Sequence, residues 1–322
     1  MITAEQNRMG AMAATEPNAA AGKARRKRNW RRSLPLFVMF APAIAYYLTF
    51  RYAPMGGLII AFKDYNFGDG VFGSPWVGWD NFELLFNQAQ TVNIIRNTLL
   101  LSVLGLVVGF PVPIVLAILM NEVRKSWFKR SVQTIVYLPH FLSWVIIGGI
   151  VVSLFSLDSG TVNRWIEAVF GEPYPFLYEP VPWISIFIGS GIWKEMGFSA
   201  IIYLAALTTI DPHLYEAANM DGANKWRQIW HITLPGIAPT VILLLILNIG
   251  KVMDVGFDHV FVLQNEAVSD VSNVISTYIY TFGIQRAQFS LTTAMGLFES
   301  LVGFVLVLGA NAIARRFNQG LW

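Results

Sequence analysis

The 322-residue chain contains no cysteine and only four histidines, His140, His213, His231 and His259. Lack of cysteine excludes disulfides, thiolate catalysis and cysteine-ligated metals. It says little about compartment, because a bilayer supplies the stability that a small secreted domain draws from bridges. No two histidines stand at a ligand spacing, so no histidine metal site is expected. Charge is also scarce: 13% of residues are Asp, Glu, Lys or Arg against 55% apolar, far from the balance of a soluble domain. No GxxxxGK[ST] phosphate loop occurs. The nearest sequences, around Gly22-Lys23 and Gly250-Lys251, lack the earlier glycine and the following Ser or Thr. A GxSxG elbow is missing as well. The polypeptide therefore reads as no enzyme by itself, with no bound cofactor and no nucleic-acid partner.

Long apolar runs are what the chain has instead. A membrane span needs about 20 mostly apolar residues to cross roughly 30 Å of hydrocarbon. Six such runs lie near 35–57, 97–120, 132–157, 182–209, 236–262 and 290–313, which predicts an all-α integral membrane domain over 34–317. Pro42, Pro54, Pro111, Pro113, Pro139 and Pro239 fall in or beside them and predict kinks, since neighbouring helices can satisfy the freed backbone groups. Of the 23 Lys and Arg, 16 precede the first run, lie between runs two and three, follow run four or follow run six. The positive-inside rule makes that side cytoplasmic, with both termini on it. The Ala-rich, basic head 1–33 reads as disordered and close to anionic lipid. Arg31-Arg32 ahead of Ala43-Ile44-Ala45 has the form of a cleavable leader. Five further spans need no such leader, and an uncleaved first span keeps the basic count consistent.

One polar segment, 211–235, interrupts this pattern with EAANMDGANKWRQIWHITLP at its heart. Asp211-Pro212 is a helix-start signal. Leu214, Ala217 and Ala218 recur at helical spacing, and Gly222 can adopt the left-handed conformation that ends a helix. Trp226, Ile229 and Trp230 repeat the spacing before Pro235, which predicts a second amphipathic helix parallel to the membrane surface. On periodicity alone this could be an interfacial loop with its tryptophans among the headgroups.

The spacing says more. Glu216-Ala217-Ala218, three residues, Gly222, nine residues, Ile232, one residue, Leu234-Pro235 resembles the EAA loop of binding-protein-dependent ABC importer permeases. The runs at 76–86, 192–223 and 257–304 look like the carbohydrate-uptake branch, more narrowly the permeases of polysaccharide, aldouronate and alginate-type importers. The resemblance implies a six-span, type I importer bundle in a bacterial inner membrane, working by alternating access. It implies a second homologous permease, two ATPase subunits that bind ATP and Mg, and an extracytoplasmic solute-binding protein. It also implies that Glu216, Ala217, Ala218, Asp221, Gly222, Ile232, Leu234 and Pro235 couple the permease to an ATPase. Small Ala217 and Ala218 permit the close approach such docking needs.

Ionisable groups inside spans are costly and default to paired or functional roles. Lys194 and Glu195 in span four, Lys251 and Asp254 in span five, and Glu299 in span six are such groups. At 1.5 Å per residue, Lys194 and Glu299 share a depth of roughly 14 to 18 Å. Asn248, Lys251, Asp254 and Asp258 share one stripe of a continuous helix. Two readings follow. Lys194 with Glu299, and Lys251 with Asp254, are ion pairs that cement the bundle; or these groups, with Trp193 and Phe257, line a polar path for a sugar, and the two lysines suit a uronic acid. His140 reads as a bundle histidine or part of an inner gate, and the aromatics of the outward loop 63–95 as a membrane or binding-protein contact. An ion-coupled secondary transporter, with Glu299 or Asp254 relaying protons, is the alternative; it predicts an inverted repeat, and none is visible.

Overall fold

The structure is a computed structural model and describes residues 34–316; the head 1–33, with its expected disorder, and residues 317–322 lie outside the described residues. Among the described residues the only β-pairing is an isolated antiparallel bridge between Lys63 and Trp76. The chain divides into two compact units, one ending at Leu58 and one beginning at Ile59.

The helical stretch Leu34–Phe62 (α1) is 29 residues long and apolar enough to cross a membrane. It turns π over Leu48–Tyr52 and 3-10 from Ala53 onward. Pro54 gives the reason: its ring would strike the carbonyl four residues back, and the wider turn, closed by Ala53 N–H donating to the Leu48 carbonyl, relieves the clash.

In the second unit the helices include Ala89–Glu122 (α2), Ser126–Tyr137 (α3), Trp144–Phe155 (α4), Thr161–Phe170 (α5), Pro180–Leu207 (α6), Pro212–Met220 (α7), Lys225–Ile249 (α8), Phe257–Leu263 (α9) and Phe289–Arg316 (α10). By length and composition α1, α2, α8 and α10 can each cross a membrane, and the bent pair containing α3 and α4 makes a fifth candidate. The 28-residue α6 is long enough too, with Lys194-Glu195 at its middle.

Two runs expected to be continuous are broken. The run 132–157 divides at a 3-10 turn, Leu138–Phe141, and the chain bends by 105° between its two halves. Pro139 starts that turn, and Ser143 then caps α4, its hydroxyl accepting from Ile146 N–H at 3.4 Å. The run 236–262 stops at Ile249 and resumes at Phe257. Gly256, at φ 85°, allows the chain to turn, and Asp254 Oδ1 accepts its N–H at 2.9 Å.

Three apolar clusters hold the unit together. One joins α4, α6 and α9 through Val151, Trp183, Phe187, Val260 and Leu263. A second centres on Ile94, Met253, Ile275 and Met295, and a third joins α2, α6 and α8 through Ala117, Ala200, Tyr203 and Ile237. Amide side chains tie the loops of one end: Asn97 donates to the carbonyls of Asp270 and Asn273, and Asn265 to that of Leu177. At the opposite end Lys225 pairs with Glu122 at 2.9 Å.

Candidate functional site

The segment 211–235 begins as its sequence dictates. Asp211 caps α7, accepting from His213 N–H, with Pro212 in the first turn. Gly222 follows at φ 73° and Ala223 N–H closes back on the Ala218 carbonyl, a left-handed helix ending. The second half differs from expectation. Residues 225–228 do not form a separate surface helix; they run through a π turn, Ile229–Thr233, straight into the span. Pro235 again explains the π turn, because Leu234 N–H reaches the Ile229 carbonyl just before a residue with no N–H. Ile232, Leu234 and Pro235 therefore sit on the first turns of α8.

Buried Gln228 fastens α7 to α8: its amide donates to Asn219 Oδ1 at 2.6 Å and to the Ala223 carbonyl at 3.1 Å. Tyr215 and Thr233 hydroxyls meet at 3.0 Å. The other face is bare. Glu216 is exposed with only His213 beside it, Asp221 and Gly222 are exposed, and Met220 and Trp226 are 89% and 71% exposed.

A cavity of about 440 Å³ lies between α2, α6 and the region of the two breaks. Ser102, Phe110, Ser199 and Tyr203 line it, together with the ring stack Trp144–His259–Phe187. The rings stand 3.7 and 3.8 Å apart, nearly parallel, and Ser190 Oγ holds His259 Nε2 at 3.0 Å. Gly191 makes room for that imidazole, since a β-carbon there would lie 3.2 Å from its Cε1.

Of the expected path residues, Glu195, Asn248, Lys251 and Asp254 reach this cavity, whereas Trp193, Lys194, Phe257 and Glu299 do not. Phe257 stacks instead on Phe261 and Tyr280. The shared stripe is absent because only Asn248 belongs to α8; Lys251 and Asp254 stand in the connecting turn and Asp258 in α9. Neither expected ion pair forms. Lys251 makes no bridge to Asp254, and Lys194 donates to the carbonyls of His140 and Leu142, each at 2.7 Å, in place of pairing with Glu299. Glu299 is half-buried and within electrostatic reach of Asp254. His140 pairs with Glu195 at 2.9 Å and stacks on Phe198 at 4.0 Å. Trp144, Phe187 and His259 were not legible as a group. They converge only through the two breaks, which leave no periodic trace.

Residues 109–321 match the family described as the binding-protein-dependent transport system inner membrane component, and the chain belongs to that family. It is similar to the polygalacturonan/rhamnogalacturonan transport system permease protein YteP of Bacillus subtilis strain 168, at 46% identity over 88% of each chain. Protein LplB of the same organism is 44% identical over 88% of this chain and 89% of its own. A chain in the crystal structure of a bacterial ABC transporter involved in the import of the acidic polysaccharide alginate is 43% identical, with a TM-score of 0.84 over 91% of this chain and 99% of that one. A further structure shows a bacterial alginate ABC transporter in complex with an alginate pentasaccharide-bound periplasmic protein; its matching chain is 42% identical, also at TM-score 0.84. The protein is thus a multi-pass permease component of an ABC importer, with the type I importer fold, and ATP is hydrolysed by separate subunits.

Proposed function

We propose that the importer containing this chain takes up an acidic, uronate-containing oligosaccharide by alternating access. The observation that carries this reading is identity above 40% along most of the chain to permeases named for polygalacturonan/rhamnogalacturonan and alginate. In this reading a second, homologous permease completes the pore, two ATPases take Mg-ATP, and a solute-binding protein delivers the glycan from outside. Both termini lie in the cytoplasm. The bare face of α7, with Glu216, Ala217, Ala218, Asp221 and Gly222, meets an ATPase, while Ile232, Leu234 and Pro235 join that contact to the span. The cavity suits a sugar: aromatic faces for its apolar sides, dispersed hydroxyl, amide and carboxylate groups for its hydroxyls. Lys251 is its cation for a uronate.

The test is uptake by the assembled transporter in proteoliposomes. ATP-dependent accumulation of oligogalacturonide or alginate oligosaccharide, with little of a neutral glucan of equal length, is expected. Preference for the neutral glycan would overturn the substrate assignment, and uptake that persists without ATPase subunits would overturn the mechanism.

A further inference from the structure

A break in a helix strips carbonyls of their helical partners, and each one left unsatisfied away from water costs free energy. The break in the α3–α4 pair leaves the His140 and Leu142 carbonyls pointing at one side chain, the ammonium of Lys194, at 2.7 Å each. Lys194 is 6% exposed. Its nitrogen lies 3.5 Å from the Pro139 carbonyl, 4.0 Å from Glu195 and 5.4 Å from the centre of the Trp144 ring. Three donors on a compact head are what this cluster of carbonyls requires.

The α6 helix is shaped around this contact. Gly197, one turn on, lets the helix backbone approach Val136, whose carbonyl a β-carbon would overlap. Gly191, one turn back, clears His259. The sequence GIWKEMG at 191–197 thus places glycine on either side of the lysine, on the face that meets the break. Trp144, the first residue of α4, takes its position from the break and is the outer ring of the stack on the cavity wall.

We propose that Lys194 is a positioning residue: it does not touch the transported glycan, but holds the break in the α3–α4 pair and so keeps Trp144 against His259 on the cavity wall. The neighbouring Glu195 faces the cavity and His140, so the two adjacent charges divide the work.

The test compares Lys194→Met, which offers no donor, with Lys194→Gln, which offers two donors and no charge, in the complete transporter. Transport of matched acidic and neutral oligosaccharides is measured alongside labelling of Leu142→Cys by a membrane-impermeant maleimide; the chain has no other cysteine. The native complex supplies the reference ratio, so a wrong substrate reading shows there, before any Lys194 variant is compared. Loss of the clasp should lower transport of both glycans about tenfold in Lys194→Met, the scale of one charge-assisted hydrogen bond. Lys194→Gln should recover part of it, the acidic-to-neutral ratio should stay native in both, and the thiol introduced by Leu142→Cys should label faster in the Met variant than in the native background. A selective loss of the acidic glycan would show that the ammonium binds substrate and overturn the proposal. So would full transport with unchanged labelling in Lys194→Met, or failure of both variants to assemble, since Gln retains the donors.

Discussion

Gly149 and Gly197 are both helical glycines, yet their surroundings make opposite demands. A β-carbon on Gly149 meets nothing within 4 Å, whereas on Gly197 it would overlap the Val136 carbonyl, a backbone atom that cannot swing aside. Gly197→Ala should therefore cost about 1 to 3 kcal/mol, the range for overpacking. Gly149→Ala should be neutral or gain up to about 1 kcal/mol of helix propensity. Thermal denaturation of the detergent-solubilised complex should show a lowered Tm for the first alone; equal midpoints would mean that the α3 and α6 backbones are not in close contact. Lys251 offers a second test at this scale. It is the one lysine lining the cavity among the described residues, and it is free of any bridge to Asp254. Lys251→Gln should reduce uptake of an acidic oligosaccharide about tenfold relative to a neutral one, because a charge-assisted hydrogen bond contributes about 1.5 to 3 kcal/mol. Equal loss on both would assign Lys251 to structure.

Among the elements, the first half of segment 211–235 was the most legible, because its signals are local. The Asp211 cap, Pro212 and the left-handed Gly222 each act within one turn, and α7 ends where they say. The span breaks were not legible. Hydropathy reads 236–262 as one apolar run, but the helix ends at Ile249, and at Gly250 the chain packs against Val307 of α10, where a β-carbon would have no room. Likewise the partner of Lys194 could not be inferred from depth, because the accepting carbonyls exist only once the other span has broken. Gly222 provides the element-scale prediction. A β-carbon there meets nothing within 4 Å, so apart from the strain of its positive φ the position is open toward a docking partner. Gly222→Ala should cost about 1 kcal/mol through its positive φ and still transport. Gly222→Trp should assemble the two permeases yet lose ATPase coupling, seen as a dissociated ATPase or as hydrolysis that substrate no longer stimulates; Glu216→Ala should act in the same direction. Full transport by Gly222→Trp would remove α7 from the coupling path.

For the whole molecule, the hydrogen bonds between loops decide which segments share a side. Tyr65 N–H donates to Ser290, Asn97 to the carbonyls of Asp270 and Asn273, and Asn265 to that of Leu177, so the loops near 65, 177 and 270 belong to one end. Between the first and second of these loops the chain runs out along α2 and back along α3 and α4. Between the second and third it runs out along α6 and back along α8 and α9. Each excursion turns at the other end, where Lys225 bonds Glu122 and where Arg124, Lys125, Lys129, Arg130 and Arg227 also fall. The loop end is acidic by contrast, with Asp64, Asp69, Asp80, Glu83, Glu172, Glu179 and Glu266. Positive charge is retained on the cytoplasmic side, so the rule predicts segment 211–235 inside and the three loops outside. Because the chain has no cysteine, single introduced thiols report their side without background. Asp69→Cys, Glu172→Cys and Glu266→Cys, all at exposed positions, should react with an impermeant maleimide added outside intact spheroplasts. Asp221→Cys, equally exposed, should react only after the membrane is opened. Labelling of the Asp221→Cys variant from outside would invert the molecule, and protection of Glu172→Cys alone would mean that the bent α3–α4 pair returns to the side it came from and does not cross.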